Sequence, residues 1–397
     1  MTAYSSPTPD FAAFDKKARD GQHLTVAFFG GSLTWGARSS DPQKTSYRAL
    51  IGQKLEETYP KAHFTFIDAA IGGTGSQLGV FRLQRDVLAY EPDLVFLDFT
   101  LNDDPYVTTP GTLAAYESLV RRIIAEGNCP VVQMFLAAKS MVTDGTTEKM
   151  PRYHAHKKIA RAYNTAEGDA ITLMQDQWKA GQLDLDHIWP PESFDTCHPY
   201  DPGYALYAEA GWNAFRQAVA DKAVCRIPEK PLNGNGYRNW KRVRLSSLGP
   251  LPQGWKTTFA SRDYCAFDFL MSRWLDDVTV GSNFTALDRT RTKPAPAALP
   301  LKLKFTGSSV LLFGETTPRS CSYHVTIDGK ERDFNACQLG QGVGRLWQVV
   351  AEGLDPAKEH TLEIAPRFES PDQPQELRIE SVCVAGSDSV TVACDVK

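Results

Sequence analysis

The 397-residue chain has no apolar run of 18 residues, no Cys-x-x-Cys pair and no cluster of lysine and arginine. The first absence excludes a spanning membrane helix. The second removes the spacing of a zinc site, and the eight scattered cysteines read as free thiols rather than a disulfide framework. With a net charge of −4 and a pI near 6.1, the third argues against nucleic acid or an anionic membrane as partner. The opening MTAYSSPTPDFAAFDKK has neither a basic nor an apolar leader region, so no secretory signal is expected in the chain as it stands. The compartment stays open: periplasmic or secreted if a leader was removed, cytoplasmic otherwise. Phosphate-cradling Gly-x-Gly-x-x-Gly and Gly-x-x-x-x-Gly-Lys-[Ser/Thr] loops are absent, as is the Gly-x-Ser-x-Gly elbow. No cofactor and no metal is expected.

What is present falls into two halves. From about residue 9 to 220, short apolar runs alternate with helical spacing. Strands are expected at LTVAFF (24–29), HFTFIDAA (63–70), DLVFLDFT (93–100), PVVQMFLA (130–137) and AITLM (170–174). Between two of them, Leu113, Tyr116, Val120, Ile123 and Ile124 recur every three to four residues, and Gly127 stops the helix. Strand and helix at this rhythm imply a parallel sheet covered on both faces. The stretch CRIPEKPLNGNGYRNW is rich in Pro, Gly and Asn and reads as a linker. Beyond it Leu299, Leu301, Leu303 and Phe305 alternate, as do Tyr323, Val325 and Ile327 up to the turn signal Asp328-Gly329. The expected organisation is an α/β domain (1–222) with about five parallel strands, a linker (223–240) and an all-β sandwich (241–397).

Ligands of an open parallel sheet sit beyond the carboxyl ends of its strands. The first strand runs into Gly30-Gly31-Ser32-Leu33-Thr34-Trp35-Gly36, the second into Ile71-Gly72-Gly73, and the third into Asn102-Asp103-Asp104. Asp195-Thr196-Cys197-His198 closes the domain. A serine needs a base to become a nucleophile, and the base needs an orienting carboxylate. His198 suits the first task and Asp195 the second. The amides of Ser32 and Gly73 and the carboxamide of Asn102 suit a developing oxyanion. Trp35, Tyr106 and Trp189 lie near these blocks and offer flat faces for a sugar ring, although core packing explains each equally well. His154 and His156 read as a solvated helix face.

The four blocks, in this order and at this spacing, resemble those of the SGNH hydrolases, or GDSL family of esterases and lipases, over residues 24 to about 220. Two positions depart from the family pattern: Gly31 stands where an Asp usually precedes the serine, and Thr100-Leu101 replace the small residues before the asparagine. The resemblance implies a three-layer, flavodoxin-like α/β/α domain. It implies a triad of Ser32, His198 and Asp195, with an oxyanion hole of Ser32, Gly73 and Asn102. Members with Gly-Gly-Ser in the first block are similar to carbohydrate esterases that remove acetyl groups from polysaccharides, several of which carry a β-sandwich (jelly-roll-like) module. The expected function is therefore a serine esterase acting on an acylated oligo- or polysaccharide. The alternatives are a sugar-binding or scaffold protein on a degenerate hydrolase fold, or a lipase or thioesterase of the same fold.

Overall fold

The computed structural model describes residues 8–261, 275–286, 291–336, 344–370 and 372–394. The chain divides into two compact units, Met1–Gly234 and Asn235–Lys397.

In the first unit five strands, β1 (His23–Gly30), β2 (His63–Ala70), β3 (Leu94–Asp98), β4 (Val131–Phe135) and β5 (Ala166–Asp169), form one parallel sheet in the order β2-β1-β3-β4-β5. The helices are α1 (Phe11–Arg19), α2 (Ser32–Trp35), α3 (Tyr47–Thr58), α4 (Ser76–Asp86) and α5 (Pro110–Glu126). After them come α6 (Lys139–Thr143), α7 (Pro151–Tyr163), α8 (Ala170–Lys179), α9 (Leu185–Ile188) and α10 (Asp201–Ala220). They pack in two groups, α1, α3 and α10 in one and α4, α5 and α7 in the other. This is what right-handed crossovers require when the chain first steps from β1 out to β2 and then reverses across β1 to β3. The reversal point between β1 and β3 is where such a sheet opens a crevice. Register puts Gly30 level with both Ala70 and Asp98, so the loops after β1, β2 and β3 leave the sheet at one height.

The sequence reading errs at the fifth strand. AITLM opens α8, with Asp169 capping Thr172 N at 3.0 Å, and Ile171 and Met174 buried at helical spacing. The strand is the preceding Ala-Glu-Gly-Asp, which has no apolar signature of its own. Gly168 permits it: a Cβ there would stand 2.5 Å from Met134 Sδ and 3.1 Å from Gly211 Cα of α10. Close packing between β4 and α10 decides this strand, and local pattern does not reveal it.

The expected linker is mostly tied down. Val224 bridges Asp10, Arg226 N donates to Tyr163 O, and the amides of Leu232 and Asn233 donate to the Glu117 carboxylate at 2.7 Å each.

The second unit is all-β. Its strands are β6 (Asn239–Arg244), β7 (Trp255–Thr258), β8 (Val278–Ser282), β9 (Phe284–Ala286), β10 (Thr292–Pro294), β11 (Leu301–Thr306) and β12 (Ser309–Thr316). They continue with β13 (Ser322–Ile327), β14 (Lys330–Asn335), β15 (Gly344–Ala351), β16 (Glu359–Arg367), β17 (Glu376–Gly386) and β18 (Thr391–Cys394). One antiparallel sheet runs β14-β13-β16-β11-β18. The other runs β15-β12-β17-β8-β7, with β6 beside the second half of β17. Leu301, Leu303, Phe305, Val325 and Ile364 from the first sheet share a core with Leu312, Leu346, Leu377, Ile379 and Val382 from the second. The alternation from Leu301 onward is the inward face of this sandwich, whereas Leu299, expected in the same strand, lies before β11 and is 51% exposed. The β13–β14 hairpin turns at Asp328 and Gly329, both left-handed (φ 49° and 79°), as its Asp-Gly signal demands.

Candidate active site

β1 delivers the chain into a turn that only small residues allow. A Cβ on Gly30 would lie 2.7 Å from Asp98 O and overlap the Thr34 hydroxyl, and Gly36, at φ 98°, ends the four-residue helix α2 in a conformation open to glycine. Ser32 is the first residue of α2, above the β1–β3 reversal point.

The partners of Ser32 come from the other end of the unit. Tyr204 of α10 donates to Ala37 O at 2.6 Å, and Asp201 accepts from Ser40 N and Thr45 Oγ1 at 2.8 and 2.9 Å. These bonds dock the start of α10 on the loop that follows Ser32. The turn before α10 is anchored by Lys139 N to Thr196 O and Tyr200 N to Ile188 O, both at 2.9 Å. It holds His198 Nε2 at 2.6 Å from Ser32 Oγ, and His198 Nδ1 at 2.7 Å from Asp195 Oδ2. Asp195 Oδ1 accepts the amides of Cys197 and His198 at 3.0 Å each. Partial burial works to raise the Asp195 pKa, but these amides and the imidazole outweigh it and hold the carboxyl below the ordinary value. An ionised Asp195 only accepts, so Nδ1 carries the imidazole proton and Nε2 is left to accept from the serine hydroxyl.

A second candidate nucleophile, Cys197, lies with Sγ 4.0 Å from His198 Nε2. Burial first, and the Asp195 and Asp98 charges next, push its thiol up to about 12, so it stays protonated and unreactive. Six cysteines among the described residues are free, and Cys265 and Cys337 lie outside them.

The Asn102 carboxamide lies against the backbone just before Ser32. A Cβ on Gly31 would stand 2.8 Å from Asn102 Cγ and overlap its Oδ1. The space that a side chain at Gly31 would enter is filled here by Asn102. Gly73 is exposed, with φ 67°, in the turn after β2, and Ile71 N of that turn donates to Gly30 O at 3.0 Å. Ser32, at the start of α2, and Gly73 and Asn102, on the loops after β2 and β3, therefore stand at the carboxyl edge of the sheet, where His198 and Asp195 meet Ser32.

The three aromatic candidates separate. Trp189 is 1% exposed, closed to any ligand, so the core reading holds for it; Tyr106 is 39% exposed and Trp35 half-buried. His156 corrects its reading as solvated. It is fully buried, stacked on Tyr116 at 3.5 Å and bonded through Nδ1 to Thr100 Oγ1 at 3.0 Å. His154, exposed, bonds Thr147 O. Sequence reasoning missed Arg38. This left-handed residue (φ 71°) brings Nε to 3.5 Å from Asp195 Oδ2 and donates through Nη2 to Ser193 Oγ at 2.8 Å. Nothing in the local pattern signals a contact 157 positions away.

The fold and this edge define a doubly wound α/β domain with a serine, an imidazole and a carboxylate in hydrogen-bond series. Residues 28–206, within the first unit, match the model of the GDSL-like Lipase/Acylhydrolase family. Two crystal structures of a two-domain esterase (CEX) active on acetylated mannans, one co-crystallised with mannopentaose, share the fold. They align with TM-scores of 0.74 and 0.73 at 23% identity, covering 95% of this chain and 94% and 95% of theirs. No curated protein matches the sequence.

Proposed function

We propose that the chain is a serine esterase that removes short acyl groups, acetyl above all, from the hydroxyls of a carbohydrate. The observation that carries this reading is the series Ser32 Oγ, His198 Nε2, His198 Nδ1, Asp195 Oδ2, with links of 2.6 and 2.7 Å. Ser32 Oγ attacks the acyl carbonyl while His198 Nε2 takes its proton. The carbonyl oxygen becomes an oxyanion, met by the amides of Ser32 and Gly73 and the Asn102 side chain. Collapse expels the sugar alcohol, which takes the proton from His198, and leaves an acyl-Ser32 ester. Water, deprotonated by His198, attacks that ester and releases the acid and free Ser32. Asp195 holds the imidazole and stabilises its charged form. Each step uses this chain's own side chains.

Support for the substrate comes from two sides. The CEX esterase that shares the fold of both units is active on acetylated mannans. The loops after β1 and β3 mix exposed polar groups with Trp35 and Tyr106, suited to a sugar's hydroxyl edges and apolar faces. Among the described residues no helix is long and apolar enough to cross a membrane.

The test is a p-nitrophenyl ester series with acetate release from acetylated mannan, xylan and oligosaccharides. kcat/KM is expected to fall steeply from acetyl to butyryl to octanoyl, with acetate freed from at least one glycan. A preference for octanoyl with no glycan turnover would identify a lipase or thioesterase instead. Inertness to every ester would leave the degenerate-scaffold reading.

A further inference from the structure

The proposed oxyanion donors sit on separate loops, Gly73 between β2 and α4 and Asn102 between β3 and α5. Donors act on an oxyanion only if their relative position is set in advance. The start of α4 is the place to look, because a helix leaves its first amides without partners in its own backbone. Its N-cap is Gly75, which has no side chain to accept them. The acceptor comes from the other loop: Asp103 Oδ1 takes the Ser76 amide proton at 2.8 Å. Asp103 immediately follows Asn102 and is buried, and its own amide donates to Phe99 O at 2.9 Å. A carboxylate there also meets the positive end of the α4 dipole.

The far side of the Asn102 loop is clasped by one guanidinium. Arg152 of α7, fully buried, donates Nε to Asp104 O at 2.8 Å, Nη1 to Thr112 Oγ1 at 2.7 Å and Nη2 to Val107 O at 2.5 Å. Its amide reaches Pro105 O at 3.2 Å. These bonds hold a loop whose Asp104 is left-handed at φ 66°.

We infer that Asp103 and Arg152 are positioning residues that staple the Asn102 loop to the Gly73 loop, so that the two donors converge on one oxyanion. The inference rests on the esterase reading of the same site. Neither residue reaches Ser32 or His198, and neither follows from the triad. Asp103 sets the distance between the loops through Ser76. Arg152 stops the Asn102 loop from relaxing away once it is set. Misplacement by about 1 Å at such a site costs on the order of a hundredfold in rate.

The test uses the full-length chain and the variants D103A, D103N and R152K. Three quantities are read: kcat and KM on p-nitrophenyl acetate, the inhibition constant of a boronic acid that forms a tetrahedral adduct on serine, and hydrogen exchange at the Ser76 amide. For D103A, kcat should fall about ten- to a hundredfold with KM within about threefold, because the donors act on the transition state. The boronate should weaken in step with kcat, and Ser76 should exchange faster. D103N keeps a carbonyl for Ser76 N–H and should recover most of the rate. If D103A fails to fold, R152K decides: it keeps one donor of several and should lower kcat at constant KM. An active wild type with a folded D103A of equal kcat, or a D103A whose kcat falls while boronate affinity holds, would overturn this inference alone. A wild type without ester turnover would overturn the esterase reading first.

Discussion

Gly31→Ala is the smallest change that tests the proposed oxyanion site through its packing. Gly31 has φ −102°, so alanine meets no left-handed penalty. The added methyl would stand 2.8 Å from Asn102 Cγ and overlap Oδ1, where ordinary contacts lie at 3.4–4 Å. The carboxamide must therefore withdraw by about 1 Å, out of reach of an oxyanion bound at Ser32. Loss of one such donor costs about a hundredfold in kcat, or about 2.7 kcal/mol of transition-state stabilisation. The assay is kcat and KM on p-nitrophenyl acetate for G31A, N102A and the double variant. If G31A acts through Asn102, it should lower kcat with KM nearly constant, and the double variant should be no slower than N102A alone. A G31A enzyme within about threefold of wild type, or losses that multiply in the double variant, would refute the reasoning.

Ser32→Ala and His198→Ala should each remove about four to six orders of magnitude of kcat, and together no more than either alone, because nucleophile and base act as one unit. Near-normal turnover by S32A would remove the nucleophile assignment. Asp98, buried beneath α2, accepts from Thr34 Oγ1 at 3.0 Å through Oδ2 while its Oδ1 has no partner. Burial, with Asp103's charge adding to it against the Thr34 bond, pushes Asp98 up from an ordinary 3.8 to about 7. The folded state then holds a proton that the unfolded chain has lost, so Asp98 costs stability progressively as pH rises from near 4 to near 7. Asp98→Asn should accordingly gain in Tm relative to wild type across that window and level off above it. A Tm difference independent of pH would show that Asp98 does not titrate there.

Local chemistry alone carried much of this protein. Glycines followed by Ser32, Gly73 in a turn, Asn102 after an apolar run and Asp195 three residues before His198 are legible because each demand is met within a few residues. A tight turn needs glycine, and a serine nucleophile needs a base with a carboxylate beside it. The alternation in β11 and β13 was legible for the same reason, since one face of each strand meets one core. Contacts between distant segments settled the rest. The fifth strand is Ala-Glu-Gly-Asp because Gly168 lets β4 and α10 close on it, while the more apolar AITLM finds its burial as a helix. His156 and Trp189 look polar or ligand-ready in sequence, yet neighbours far along the chain bury both. Gly31 departs from the family pattern, and only the fold shows Asn102 in the space a side chain there would fill. Arg38 beside Asp195 and Asp103 on Ser76 carry no local signal at all. Period and composition report which way a residue faces within its own element, whereas the partner it meets there is chosen by the order in which the strands assemble.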